Sequence, residues 1–517
     1  MRLTVGITQL LPEWEIVIQQ IGVSFEIISP KEPISADQFS AIIITRKEAM
    51  PEKDVLLHYL NSGGSILTEA DVAEWLFNIG TMPAFVNTIE PIKDPIFSGV
   101  LPGFIQTKLF LPRRGDVLES ESGRKLVQIH TSGKGTAIIL PGGFSKIILD
   151  TGVRRRNFPT RAPLLPSERI TRKSKHTIRE VIQRSLEHLH FVRQLPFLSL
   201  SPFPDEKQSI FNFRIDTDSA TEEEIDSLYQ LCLNRSTSAT WFVETKSARD
   251  RIGQFARMQN QEIGLHCYRH KVSRNYSFNK LNIEKGCRTL KIANIPFCGY
   301  AAPYGEWNIP LAKTIEEAGF IYSSEFTLDY DNLPFYPYLR NRFSSVLQIP
   351  IHPISTGMLR NARHMEDDIR NYFKEVIKER IEHNLPLFIY DHPSSINLNV
   401  LNWLLQYVNK KGISTISLKD YAHWWKKRME IKWSAYFGTG RISIKWRHPN
   451  HSVSVLLKKS PKESVLIKTK NVINLYNLKW QKKKLSGKLT TPMALRIKLN
   501  RKMIFNDILS FYGRLKQ

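Results

Sequence analysis

Two aspartates and two histidines near the middle of this 517-residue chain have the types and spacing of a metal site able to hydrolyse an amide. The run Phe213-Arg214-Ile215-Asp216-Thr217-Asp218 reads as a strand ending in two acids that share one face. Forty-four residues after Asp218 begins Glu262-Ile263-Gly264-Leu265-His266-Cys267-Tyr268-Arg269-His270, a second short strand running into His-x-x-x-His. One carboxylate and two imidazoles can hold a divalent ion and leave coordination positions open for water and substrate. The second carboxylate, two residues from the first, would sit beside that ion as a base. Simpler roles exist for each part. Asp218 or Ser219 could cap a helix starting near Thr221, and a lone His-x-x-x-His often decorates a surface. Cys267 could be a soft ligand, but its place directly beside His266 favours a small residue packed behind the site.

These residues need elements to hold them. Between about 206 and 428, strands are expected at Phe211–Ile215, Ser238–Val243, Ile263–His266, Cys298–Ala301, Ile321–Ser323, Val346–Ile349 and Leu387–Tyr390. Helices are expected between them at Glu222–Leu233, Ala248–Asn260, Asn282–Ala293, Leu311–Ala318, Met365–Glu382 and Val400–Lys410. Strands each followed by a helix or long loop argue for a distorted, incomplete (β/α) barrel, whose sites lie at the C-terminal ends of strands. Asp216, His266, Pro303 and His392 all fall at or just past such ends.

The rest of the chain divides by pattern into three further parts. Residues 1–150 alternate strands (Leu3–Thr8, Phe25–Ser29, Ala41–Thr45, Ser65–Thr68, Thr136–Leu140) with helices (Glu13–Ile21, Glu52–Leu60). That alternation predicts an N-terminal doubly wound α/β domain, mostly parallel. It looks amidotransferase-like or flavodoxin-like in outline; with no cysteine and no nucleotide fingerprint, it reads as a non-catalytic accessory domain. Residues 151–205 read as a basic, proline-rich connector with Arg154-Arg155-Arg156 and one helix over Thr177–Phe191. From 429 to 517 the period changes to two, in segments such as Arg441–Trp446, Ser464–Lys468 and Ala494–Leu499. Alternation between turns such as Gly438-Thr439-Gly440 and His448-Pro449-Asn450 predicts a small basic β-sandwich.

Composition bounds the function. A chain this long should form several domains, and its 42% hydrophobic content is that of a folded protein. No apolar run approaches the roughly 20 residues that span a bilayer. Four cysteines without a CxxC pair argue for reduced thiols, and the N-terminus lacks the pattern of a secretory signal. A cytoplasmic protein is the expectation. From Lys426 to Gln517 there are 23 Lys plus Arg against Glu430, Glu463 and Asp507, which places +20 of the total +24 there. Charge so concentrated suits a polyanionic partner, either a phosphate-bearing glycan or an anionic membrane surface. No recognised nucleic-acid motif accompanies it, so no specific nucleic acid is expected.

Taken with Ser238-Ala239-Thr240-Trp241-Phe242-Val243, the motifs resemble the NodB-homology polysaccharide deacetylases, carbohydrate esterase family four, over roughly residues 206–425. The third motif of that family is similar to Ala301-Ala302-Pro303-Tyr304-Gly305, and the fifth to Leu387-Phe388-Ile389-Tyr390-Asp391-His392. The resemblance implies Asp216 as catalytic base, and Asp218, His266 and His270 as metal ligands. It implies His392 as the acid that protonates the leaving amine, and the backbone N–H of Tyr304 as an oxyanion donor. The metal would be zinc, with cobalt, nickel, iron or manganese also able to bind a mixed N/O set. Pro303, Tyr304 and His352 are expected to line the substrate pocket, and the aromatic loop Asp329–Tyr336 could stack on a sugar ring.

One departure stands out. The family arginine that pairs with the catalytic aspartate is replaced by Ala301, a methyl group that cannot orient the acid; Lys271, Arg269 or Arg214 could supply the charge from elsewhere. Glu325 and Asp329 are candidates to tune the acid histidine. The expected function is hydrolytic deacetylation of an N-acetylated amino sugar. The alternative is a catalytically impaired carbohydrate-binding or scaffold protein of the same fold.

Overall fold

The computed structural model describes residues 1–482 except 32, 50, 91–93, 95, 161, 163, 219 and 448. Ser219, His448 of the expected turn, and the expected strand at Ala494–Leu499 lie outside the described residues. The chain forms two compact units. One comprises Met1–Asp150, Arg172–Glu206 and the described residues from Lys426; the other comprises Thr151–Thr171 and Lys207–Trp425.

In the first unit, the five expected strands of the N-terminal region form a parallel array. Val5–Ile7 pairs with Phe25–Ile27 on one side and Ala41–Ile44 on the other; Ser65–Glu69 and Gly135–Leu140 follow. Runs such as Ala41-Ile42-Ile43-Ile44, buried throughout, are what a strand covered on both faces requires. An antiparallel extension of four strands between Thr81 and Ser132 continues the same sheet to nine. Sequence alternation did not anticipate it. Its strands bury alternate residues, as in Thr81–Glu90, so each alone resembles an irregular polar segment.

The segment 151–205 is more structured than a connector. Val153–Asn157 and Ser167–Thr171 pair as an antiparallel hairpin in the second unit. In the first unit, helix Lys175–Phe191 precedes strand Phe197–Pro204. That strand pairs with Val453–Ser460, which pairs with Glu463–Lys468. A second small antiparallel sheet joins Lys432–Gly438, Arg441–Arg447 and Val472–Asn474. Ala435, Ile442, Ile444, Val455 and Leu457 share one apolar cluster with Leu3, Leu195 and Leu198. The described C-terminal strands therefore build a common core with earlier segments of the chain.

The second unit holds a curled, all-parallel sheet. Its order by first residue is Leu347, Tyr322, Gly299, Glu262, Thr240, Ile210, Leu387, with Ser414–Thr415 added beside Ile210–Asp216. All seven strands anticipated for this region are present, three of them only two residues long. The sheet's two ends approach through one parallel bridge, His352 to Ile389, with the His352 N–H donating to Phe388 O at 2.9 Å. Short strands and a single-bridge seam explain the weak barrel period in the sequence.

Candidate metal centre

Strand Ile210–Asp216 delivers the first part of the site. Side chains two apart on a strand share a face, so Arg214 and Asp216 both point inward. Arg214 donates from Nε to Asp216 Oδ1 at 2.7 Å and from its terminal nitrogen to Oδ2 at 2.6 Å, a bidentate pair. Its other terminal nitrogen donates to Ser324 O at 2.6 Å. The guanidinium is fully buried, with its carbon 5.2 Å from the Phe242 ring and 5.5 Å from the Tyr390 ring. Of the three cations proposed to replace the missing arginine, Arg214 is the one on Asp216. Ala301 is itself fully buried.

Beyond the strand end, the backbone at Asp218 adopts a positive φ of 33°. The helix Glu222–Asn234 is capped by Thr221, whose side chain accepts from the Glu224 N–H while Glu224 reaches back to the Thr221 N–H. Asp218 is thus not spent on capping. Its Oδ1 faces His266 Nε2 at 3.1 Å and His270 Nε2 at 3.3 Å, and its Oδ2 lies 3.3 Å from His392 Nε2.

His266 ends the neighbouring strand, and its Nδ1 contacts Ala301 O at 2.7 Å. A carbonyl can only accept, so Nδ1 carries a proton, and Nε2 is the nitrogen turned toward Asp218. Among the described residues, Asp218 Oδ1 and His266 Nε2 are buried without a hydrogen-bond partner. They meet at ion-pair distance without hydrogen-bond geometry. Ligand atoms of Asp218, His266 and His270 all lie within 4.8 Å of one another. Two orphaned donors converging with a third is the arrangement a divalent cation completes, and the residues fit it. A carboxylate with two imidazoles, one oriented by a carbonyl, suits zinc and its first-row neighbours.

Electrostatics follow from this convergence. Burial pushes the Asp218 carboxyl up, but the facing imidazoles of His266, His270 and His392 outweigh it and hold the group well below the usual carboxylate range. Burial pulls His392 down, yet the carboxylates of Asp218, Asp216 and Asp391 push it up to about 9. Cys267 is buried, and desolvation drives its thiol well above the ordinary value, as a packed residue behind the site requires.

Tyr304 sits in a tight turn, Pro303–Gly305, at φ 58° and ψ 17°. Its ring lies edge-on to His270 at 4.7 Å between centroids and is 64% exposed, whereas Pro303 is buried. The structure therefore brings Asp216, Asp218, His266, His270, Tyr304 and His392 together. His352 does not join them. It is buried, with Nδ1 2.9 Å from Asp331 Oδ2 and Nε2 2.8 Å from the Tyr372 hydroxyl. Both ring nitrogens are taken, so His352 has none to offer a sugar. The loop Asp329–Tyr336 is also largely interior, with Asp329, Asp331, Asn332, Leu333 and Phe335 all buried.

The carboxylate that acts on His392 is Asp391 rather than Glu325. Glu325 accepts from the Ala302 N–H at 3.2 Å and lies in the field of Arg214. Asp391 is buried and accepts from the His392 N–H at 2.9 Å and the Thr356 N–H at 2.9 Å. Its neighbouring charge raises His392. The carboxylate was visible in the fifth motif, but strand alternation points it to the opposite face from His392, so adjacency alone assigned it no role.

No family model matches the sequence, and no curated protein matches it. Similar solved structures include a probable polysaccharide deacetylase from Pseudomonas aeruginosa PAO1, with TM-score 0.38 and 16% identity, covering 43% of this chain and 92% of that one. A family 4 carbohydrate esterase from Streptomyces lividans, in complex with acetate, has TM-score 0.29 and 14% identity, covering 40% and 91%. A CE4 family pseudoenzyme from Bacillus anthracis has TM-score 0.31 and 13% identity, covering 52% and 90%. The likeness is loose in each case.

Proposed function

We propose that this protein hydrolyses the N-acyl group, an acetyl in the first instance, from an amino sugar, using a divalent metal held by Asp218, His266 and His270. The observation that carries the reading is the convergence of these three side chains beside an aspartate already clamped by Arg214. A bound cation supplies Lewis acidity at that position. The protein's own groups supply the rest. Asp216 takes the proton of the attacking water, and Arg214 fixes the carboxylate's orientation. His392, on the other side of Asp218, returns a proton to the departing amine so that it leaves neutral. The Tyr304 backbone N–H donates to the developing oxyanion, and its exposed ring offers a surface for the sugar.

The binding-only alternative rested on Ala301. Because Arg214 supplies a guanidinium to Asp216, that substitution by itself is no argument for lost turnover. The test is an acetate-release screen of the purified, metal-loaded protein across N-acetylated mono- and oligosaccharides. Release abolished by Asp218→Asn and by His266→Ala supports the reading. Release unchanged in both variants removes it, and sugar binding without any release selects the alternative.

A further inference from the structure

The small sheet of Lys432–Gly438, Arg441–Arg447 and Val472–Asn474 has two unlike faces. Trp433, Ala435, Phe437, Ile442, Ile444 and Trp446 turn into the apolar cluster. The opposite positions carry Lys432, Ser434, Tyr436, Arg441, Ser443, Lys445 and Arg447, four cations with no carboxylate among them. Lys432 lies directly opposite Arg447 across the antiparallel pair. Like charges at directly opposed positions destabilise a sheet, and no ion pair to Lys432, Arg441, Lys445 or Arg447 occurs among the described residues. The fold eases this at Lys432, through the nearby Glu15 carboxylate and the Phe25 ring 5.8 Å from its Nζ, so the remaining cations of the face are where a ligand's contribution is expected.

In the middle of this face stands Tyr436, 42% exposed, with Lys445 Nζ 5.8 Å from its ring centroid. At the hairpin end, Thr439 and Gly440 both have positive φ, and the Tyr476 ring lies where a side chain on Gly440 would be, itself 82% exposed. Exposed phenol rings among cations match a polymer that offers flat C–H surfaces and anionic groups together. A membrane would call for apolar anchors on this face, and the two tryptophans are turned inward, stacked at 5.9 Å. The sequence beyond Lys482 adds nine Lys plus Arg and only Asp507, so it offers no acidic segment to neutralise the face.

We propose that this face binds a phosphate-bearing glycan. The Arg441 and Arg447 guanidiniums take phosphate oxygens in forked geometry, Lys432 and Lys445 add point charge, and Tyr436 stacks on an intervening sugar. The choice of a glycan over other polyanions rests on the function proposed above, in which the same polymer presents the amino sugar.

The experiment uses the full chain and phosphomannan, with dephosphorylated mannan as the matched neutral probe. Oligodeoxythymidine and vesicles containing phosphatidylglycerol are the other polyanions. The expected result is salt-sensitive binding of phosphomannan, weak binding of mannan, and a fall of about tenfold or more, near 1.4 kcal/mol, in Lys432→Gln/Arg447→Gln. The same double variant relieves a like-charge pair but gives up the Lys432 contacts with Glu15 and Phe25, so its Tm should stay near the parent's. Tyr436→Ala should weaken phosphomannan more than oligodeoxythymidine. Unchanged phosphomannan binding in the double variant overturns the proposal. So does tighter, variant-sensitive binding of the vesicles or of oligodeoxythymidine. His266→Ala must keep phosphomannan binding whatever its effect on acetate release, so failure of the catalytic reading is separable from failure of this one.

Discussion

Arg214 and Asp216 lie on one face of the same strand and are joined by two parallel hydrogen bonds of 2.7 and 2.6 Å, both residues buried. A base that must be aimed in a closed site gains more from this than from a distant charge. The fork fixes the carboxylate's plane. The two residues are delivered together by the period-two geometry of one strand.

Removing the guanidinium should therefore be costly in a specific way. Arg214→Ala leaves a buried carboxylate without its partner and should lower stability by about 3–5 kcal/mol, read by denaturant unfolding. Arg214→Lys keeps the charge but not the fork. It should lower kcat, because the carboxylate's plane is no longer fixed, while zinc content stays at the parent level. An arginine introduced by Ala301→Arg should fail to help, because Ala301 is fully buried and Arg214 already holds the acid. A gain in activity from Ala301→Arg would show that Arg214 is not the working partner.

Metal removal is the second test. Two buried orphan atoms, Asp218 Oδ1 and His266 Nε2, make the apo site unfavourable. Zinc added at about a hundred times its Kd should stabilise the protein by about 2.7 kcal/mol, seen as a rise in Tm. The rise should disappear in Asp218→Asn and His270→Ala. A metal-dependent Tm shift that survives both substitutions would place the ion elsewhere.

The acid role of His392 separates from ligation. Its Nε2 lies 3.3 Å from Asp218 Oδ2, on the oxygen other than the one facing His266 and His270. His392→Gln should cut kcat about 10²–10⁴-fold by removing the general acid. Metal content should be unchanged, and an activated leaving group, which needs no proton, should recover most of the loss. Loss of metal in this variant would instead make His392 a ligand.

Much of this site was legible in the sequence because it lies at strand ends. Asp216, Asp218, His266 and His392 each follow a short apolar run, and alternation tells which side chains share a face. Arg214 was readable by the same rule, two positions before Asp216, yet alternation cannot say which of three nearby cations reaches the acid. His352 misled for the opposite reason. It too follows a strand, Leu347–Gln348, but the barrel's ends meet there, so its side chain turns into the seam against Asp331 and Tyr372. The antiparallel extension between Thr81 and Ser132 was missed because half-buried strands carry a weak pattern.

Because His352 bonds Asp331 and Tyr372 in the interior, its substitution should be a stability event. His352→Phe strips both partners and should cost about 1–3 kcal/mol for each polar group left unsatisfied. The Arg380 guanidinium, 3.4 Å from Asp331 Oδ2, limits the loss on that side. The Tm should fall while KM for any active substrate stays within about twofold, under 0.5 kcal/mol. A raised KM at unchanged Tm would return His352 to the pocket.

Glu325 provides a pH signature that can be read without a substrate. Burial is the main cause that lifts its carboxyl from 4.5 to about 7, against the hydrogen bonds of Ser323 and the Ala302 N–H and the charge of Arg214. The folded state therefore holds this proton more tightly than the unfolded chain does. Its contribution is fully present below the ordinary 4.5 and is lost as pH rises through about 7. The shift corresponds to at most about 3 kcal/mol. Glu325→Gln keeps an acceptor for Ala302 and cannot ionise. In urea titrations across that window, the parent should lose stability as pH rises, and the variant should lose less by up to this amount. Parallel profiles for the two proteins would mean that Glu325 is already ionised in the fold, with Arg214 rather than burial setting its charge.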